Sequence, residues 1–189
     1  MSGYGYDARW SSTVVLAACC AAVGSAGGVF WTILNAPGVS GCGILYVAGV
    51  AVPLTVTDTR QFRLPNTLVL PGYLVCAFGI LSAGGENSDM AVLAPLLVLA
   101  AGLALAREYG LGMGDVKLVG LMTAALLSAL APEGRGDDML VRALLWLMFT
   151  AMAVYASSVL LRWSTRHRDG DIAVGPLLLG AFWMALALP

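Results

Sequence analysis

Residues 112–131 read GMGDVKLVGLMTAALLSALA, a short glycine-rich start followed by an apolar run from Val116 to Ala131. The run carries one charge, on Lys117, and its length approaches the roughly 17–25 apolar residues that a membrane-spanning helix needs. In lipid, a helix satisfies all of its own backbone hydrogen bonds, which an irregular segment cannot do. The stretch therefore predicts a transmembrane helix.

Six further apolar runs flank this one, and together they predict an all-α, polytopic transmembrane bundle of six to seven helices. The second run is the weakest, because it is short, contains glycines and is interrupted by Pro53. The first run has the position of a signal peptide, but its length and the spans that follow predict an uncleaved helix. The six runs are Thr13–Leu34, Val39–Val56, Thr67–Ala83, Met90–Ala106, Met139–Leu161 and Ile172–Leu188.

The composition supports a membrane protein. Of 189 residues, 59% are hydrophobic and 11% are charged, whereas soluble domains carry about 25% charged residues. This excludes a soluble enzyme, a disordered tail and a secreted disulfide scaffold. The net charge of −1 provides no basic field for nucleic acid, and the length predicts one domain, residues 1–189. The four cysteines form no C-x-x-C pair and are expected to be small buried residues rather than metal ligands.

The basic residues predict the orientation of the bundle. If all seven runs span the membrane, eight of the ten Lys and Arg residues fall on one side. The positive-inside rule places that side, with the N-terminus, in the cytoplasm. The eight are Arg9, Arg60, Arg63, Arg107, Lys117, Arg162, Arg166 and Arg168.

Two aspartates lie where a loop carboxylate is not expected. Asp58 directly follows the apolar part of the second run, and Asp115 opens the fifth. Both fall at predicted cytoplasmic ends, where an ionisable group needs water or a partner. If the two helices pack together, the carboxylates would share one proton. One could then act as base on water while the other donates to a scissile carbonyl. Gly112 and Gly114 would let an extended peptide approach the pair.

No other side chain offers a competing mechanism. The sequence contains no G-x-S-x-G nucleophile elbow. The single histidine, His167, lies in a basic loop without metal-ligand spacing, so we expect it to be solvated.

At these positions the sequence resembles the type IV prepilin peptidases, a family of membrane aspartyl proteases. Asp58 is followed by Leu64-Pro65-Asn66, similar to the family's aspartate and aliphatic-Pro-Asn element, and Gly112–Leu118 matches the G-x-G-D-x-K-L signature. A late segment, Ile172–Gly180, resembles the P-F-G-P-F-L element with several departures. The resemblance implies that Asp58 and Asp115 are the catalytic pair. Its implied supporting residues are Gly112, Gly114, Lys117, Pro65 and Asn66.

The resemblance also implies the reaction and its partners. Family members remove the short basic leader of prepilins at the cytoplasmic face of the membrane, often after a glycine, with no metal or other cofactor. Many members carry a cytoplasmic insert with paired C-x-x-C motifs and also methylate the new N-terminus. This chain has no such motif, so it resembles the short peptidases of tight-adherence and archaeal-type pilus systems, and no methylation is expected.

Several assignments stay open at this stage. Lys117 could hold anionic lipid, bias the charge of the pair or extend to the interface, and Glu108 is expected to be solvated or salt-bridged. Small-residue faces such as Gly24–Gly28 could serve a homo-oligomer or internal packing.

Two rival functions are considered. A presenilin-like protease also uses G-x-G-D with a second aspartate, but there a tyrosine normally precedes the first aspartate and here Thr57 does. A non-enzymatic membrane protein could use the carboxylates as an ion relay, which leaves Pro65 and Asn66 unexplained.

Overall fold

The computed structural model describes residues 12–36, 38–61, 64–83, 88–109, 113–130, 141–152, 155 and 174–187. All regular structure in these residues is helical, which confirms the all-α prediction. Gly38, with φ of 90°, turns the chain from the first helix into a short 3-10 helix, Val39–Gly41. The α-helices are α1 (Ser12–Asn35), α2 (Cys42–Gln61), α3 (Asn66–Ala83), α4 (Ser88–Tyr109), α5 (Met113–Leu130), α6 (Val141–Met152) and α7 (Gly175–Ala187).

Helices α2 and α5 extend beyond the apolar runs that predicted them, and both extensions carry an aspartate. Helix α2 passes through Pro53 without a break and continues to Gln61, so Asp58 lies within the helix rather than after it. Helix α5 begins at Met113, which places Asp115 in its first turn. Hydropathy marks only the part of a helix that is apolar, and so it misses polar terminal turns.

Helix α5 is the centre of the described bundle. It packs against α2, α3, α4 and α7, and every residue from Gly120 to Leu130 is buried. A helix that is buried on all faces is apolar all round, which explains the unbroken apolar run in the sequence. Residues 120–130 of α5 are therefore enclosed by the surrounding helices.

Close approach of α2 to α5 depends on Gly43. A Cβ atom at this position would lie 3.0 Å from the Ala125 Cα atom and 2.8 Å from the Ser128 Oγ atom. Small residues at such crossings let backbones approach, and this packing drives helix association in lipid. The contact brings the two aspartate-bearing helices together.

A buried aromatic pair joins α6 and α7 to the core. Trp146 and Phe182 meet edge to face with ring centroids 5.5 Å apart. The Trp146 Nε1–H donates to the Thr123 Oγ1 atom of α5 at 2.9 Å. A buried indole N–H needs such a partner, so this bond orients α6 against α5.

The exposed surface is strongly apolar. Within the described ranges, three helices are long and apolar enough to cross a membrane: α1, α2 with its preceding 3-10 turn, and α5. Most of α1 is exposed and apolar, which suits contact with lipid rather than water. The prediction of buried cysteines is wrong for Cys19 and Cys20, which lie on this exposed face of α1, whereas Cys76 is buried.

Candidate active site

Asp58 is a buried carboxylate near the end of α2, with only 4% of its surface exposed. Two threonines flank it along the helix. The Thr59 hydroxyl donates to the Thr55 carbonyl at 2.8 Å, and the Thr55 hydroxyl is itself buried without a hydrogen-bond partner among the described residues. A buried carboxylate is costly unless it is hydrogen-bonded, so the partners of Asp58 decide what this group can do.

The partner of Asp58 is the backbone of Gly175, the first residue of α7. Its N–H donates to the Asp58 Oδ2 atom at 2.9 Å. The first N–H groups of a helix have no partner within the helix, and they carry the positive end of its dipole. Pro176 follows directly, at a position where proline favours a helix start. The local sequence thus presents a free donor to the carboxylate.

Asp115 lies across from Asp58, in the first turn of α5. Helices α2 and α5 are in contact, and the two carboxyl groups are close enough to interact electrostatically. Two carboxylates that interact electrostatically do not both ionise readily, so one proton tends to remain on the pair. The structure therefore brings together the two aspartates that the sequence singles out.

The Leu-Pro-Asn segment contacts the start of α5. A Cβ atom at Gly114 would lie 3.0 Å from the Leu64 Cβ atom, so Gly114 gives room to a side chain of this protein. Helix α3 begins at Asn66, one residue before the predicted run, and the Pro65 carbonyl accepts hydrogen bonds from the backbone N–H groups of Leu68 and Val69. Leu64, which precedes α3, is thus packed against Gly114 in the first turn of α5.

Lys117 and Asn66 join the same two segments by a side-chain contact. The Lys117 Nζ atom donates to the Asn66 Oδ1 atom at 3.0 Å, at an exposed position. Further along α3, the Tyr73 hydroxyl donates to the Lys117 carbonyl at 2.7 Å. Gly120 leaves the room that the Tyr73 hydroxyl occupies. The residues predicted to support the site therefore connect α3 to α5 beside Asp115.

A cavity of about 680 Å³ opens beside Asp115, between α4, α5, α6 and α7. Its lining is almost entirely apolar. The exceptions include Asp115 and Thr150, whose buried Oγ1 atom has no hydrogen-bond partner in the described chain. Its remaining lining residues are Leu97, Val98, Ala101, Gly102, Val116, Val119, Leu147, Ala151, Tyr155, Val174 and Leu178.

Several predicted features lie outside the described residues. These are Gly112, the basic loop that contains His167, and the first two residues of the late segment. The side chain of Glu108 is likewise outside them. Within the ranges that the structure describes, no group of three or more His, Cys, Asp or Glu side chains could hold a metal ion.

Neither the role of Gly175 nor the cavity was predicted from the sequence. The Gly175-Pro176 pair lies in the late segment, and a glycine followed by proline at a helix start is a signal for a free N–H donor. No local sequence pattern indicates the cavity, because its lining comes from four helices that are distant in sequence.

A known family matches more than half of the chain. The type IV leader peptidase family model matches residues 45–161, which include both Asp58 and Asp115. The chain belongs to this family. Membership makes it a membrane peptidase of the leader-peptidase type. No curated protein and no solved structure matches the chain.

The family match ends before α7. Residues 45–161 contain most of α2 and all of α3 to α6, whereas Gly175 and the rest of α7 follow the matched region. The contact between Gly175 and Asp58 is therefore a feature of this structure that the family match does not cover.

Proposed function

We propose that this protein is a membrane aspartyl endopeptidase that cleaves the short basic leader from type IV prepilin-like proteins. The observation that carries the proposal is that Asp58 and Asp115 lie on contacting helices, α2 and α5, close enough for their carboxyl groups to interact electrostatically. Family membership supports hydrolysis of leader peptides. The paired carboxylates supply an acid and a base without any cofactor.

The proposed reaction uses one ionised and one protonated aspartate. The ionised carboxylate takes a proton from a water molecule as the water oxygen bonds to the scissile carbonyl carbon. The protonated carboxyl group gives its proton to the carbonyl oxygen, which forms a neutral tetrahedral diol. Collapse of the diol breaks the C–N bond, with one proton passing to the leaving nitrogen and the other returning to the pair. The products are a carboxyl group and a new N-terminus.

The cavity beside Asp115 is the proposed place for the apolar part of the substrate. A prepilin joins its basic leader to an apolar helix, so the scissile bond lies where charge gives way to apolar sequence. The cavity is lined by Asp115 and by side chains that are almost all apolar. An apolar segment seated there would hold the bond near the pair.

The proposed setting is the cytoplasmic membrane, with several spans and with both aspartates on the cytoplasmic side. Support comes from three helices of spanning length and from the excess of Lys and Arg on the loops of that side. A basic leader would be retained on this side for the same reason. The proposed partners are prepilins and membrane lipid.

The test is co-expression with prepilins that carry basic leaders, comparing the wild-type protein with Asp58→Asn and Asp115→Asn. The readout is the loss of leader length on a gel, with N-terminal sequencing of the product. We expect cleavage by the wild type and none by either variant, with all three inserted equally in the membrane. Cleavage that survives both substitutions would exclude the aspartyl mechanism.

The same assay separates the rival functions. Cleavage within the apolar helix of the substrate, rather than at the end of the basic leader, would favour a presenilin-like protease. Absence of cleavage by the wild type, together with ion flux that depends on both aspartates, would favour an ion relay.

A further inference from the structure

The environments of the two aspartates differ, and the difference bears on their roles. Asp58 is almost fully buried and accepts the Gly175 N–H at 2.9 Å. Asp115 is only partly buried, lines an apolar cavity, and accepts no hydrogen bond from any residue that the structure describes. Paired carboxyl groups in unlike surroundings take different protonation states, and so different catalytic roles.

The Gly175 N–H favours a negative charge on Asp58. A hydrogen bond to an ionised acceptor is roughly twice as strong as one between neutral groups. The donor is also at the N-terminus of α7, where the helix dipole is positive. Asp115 is the titratable group in electrostatic contact with Asp58, and the nearby cation of Lys117 is bonded to Asn66. Among the described residues, the Gly175 N–H is the backbone donor that is directed at the pair, and it is directed at Asp58.

We propose that Gly175 is a positioning residue whose backbone N–H holds the negative charge of the pair on Asp58. Asp58 is then the base that takes the proton from water, and Asp115 is the acid that protonates the carbonyl oxygen. This assignment rests on the proposed function and adds to it the direction of proton transfer. It also places the carbonyl oxygen of the substrate on the cavity side of the pair, next to Asp115.

Glycine is required at position 175 because a side chain there would be too close to the Asp58 carboxyl group. A Cβ atom there would lie 2.7 Å from the Asp58 Oδ2 atom and 3.2 Å from its Cγ atom. Asp58 is buried, so its carboxyl group has little space into which it can withdraw. An alanine would therefore displace the carboxylate from the N–H donor and from Asp115. Gly180, on the same helix, has no atom within 4 Å of a Cβ position and provides a matched control.

The experiment compares the wild type, Gly175→Ala and Gly180→Ala in a prepilin cleavage assay with purified, reconstituted protein. We expect kcat of Gly175→Ala to fall by about tenfold to a hundredfold, or about 1.4–2.7 kcal/mol, with KM within about twofold of the wild type. Gly180→Ala should match the wild type in both. A rise in KM with unchanged kcat in Gly175→Ala would overturn the positioning role.

A second variant removes the donor alone. Glycolic acid incorporated at position 175 replaces the N–H with an ester oxygen and adds no side chain, so it tests the bond even if Gly175→Ala does not fold. Because the lost N–H no longer stabilises the ionised base, the acidic limb of the pH–rate profile should move to higher pH. An unchanged profile, or a shift of the alkaline limb alone, would overturn the assignment of Asp58 as base.

The Asp58→Asn variant separates this inference from the proposed function. Cleavage by the wild type but not by Asp58→Asn supports the aspartyl peptidase, and the variants at position 175 then test the direction of proton transfer. Absence of cleavage by the wild type would overturn the proposed function and this assignment with it.

Discussion

The Lys117 ammonium group donates a hydrogen bond to the Asn66 Oδ1 atom at 3.0 Å, which joins the start of α5 to the start of α3. The two residues are 51 positions apart in sequence. Asn66 directly follows Leu64 and Pro65, and Lys117 lies two residues after Asp115 at the start of α5. The bond therefore gives Lys117 a structural partner within the protein.

A double-mutant cycle measures this link. We expect Lys117→Ala and Asn66→Ala to be non-additive in unfolding free energy, with a coupling of about 0.5–1.5 kcal/mol, since each removes the same hydrogen bond. The measurement is equilibrium unfolding of the four proteins in detergent. Strict additivity would mean that the contact contributes nothing and that Lys117 serves lipid or solvent instead.

Close packing of α2 against α5 makes Gly43 intolerant of a side chain. Gly43→Ala should lower the unfolding free energy by about 1–3 kcal/mol, because the added carbon meets the Ala125 backbone. Gly49, on the same helix, has no atom within 4 Å of a Cβ position, so Gly49→Ala should be neutral or raise stability by up to about 1 kcal/mol. Equal effects of the two substitutions on thermal unfolding would contradict the observed crossing.

The cavity beside Asp115 predicts a steric effect on substrate use. Ala101 lines the cavity, and its exposed neighbour Ala100 does not. Ala101→Phe should reduce kcat/KM for prepilin by about tenfold or more, or about 1.4 kcal/mol, by occupying the space for the apolar segment. Ala100→Phe should leave it within about twofold. Similar values for both variants would show that the cavity does not receive the substrate.

The two-carboxylate mechanism predicts a bell-shaped dependence of kcat/KM on pH. Below the acidic limb the base becomes protonated and can no longer activate water, and above the alkaline limb the acid loses the proton it must donate. The limbs belong to the pair rather than to one residue. The measurement is initial cleavage rate across mildly acidic to alkaline pH, with protein integrity checked at each value. A flat profile would exclude a shared-proton pair.

Local sequence patterns predicted most of the helices but not the contacts between them. The run Thr67–Ala83 corresponds to α3 within one residue at its start, because apolar residues continue to both ends of that helix. The end of α2 and the start of α5 differ more, since polar turns there carry Asp58 and Asp115. Motif resemblance selected the two aspartates, and the structure brings them together.

The contacts that the sequence did not predict join chain segments that are far apart. Gly175 and Asp58 are 117 residues apart, and nothing in either local sequence indicates that they meet. Likewise, the space at Gly114 suggested an approaching substrate peptide, whereas Leu64 of the same chain packs against it. A glycine in a sequence shows that a close approach is possible, but it does not show which group approaches.

The most direct test of the two-aspartate mechanism measures whether Asp58 and Asp115 act as one unit. Cleavage rates of purified wild type, Asp58→Asn, Asp115→Asn and the double variant are compared, with circular dichroism to check that each is folded. We expect each single substitution to lower kcat by roughly 10⁴-fold or more. The double variant should be no slower than the single variants, because the effects of substituting residues that act together are not additive. Substantial cleavage by either folded single variant would contradict the two-aspartate mechanism.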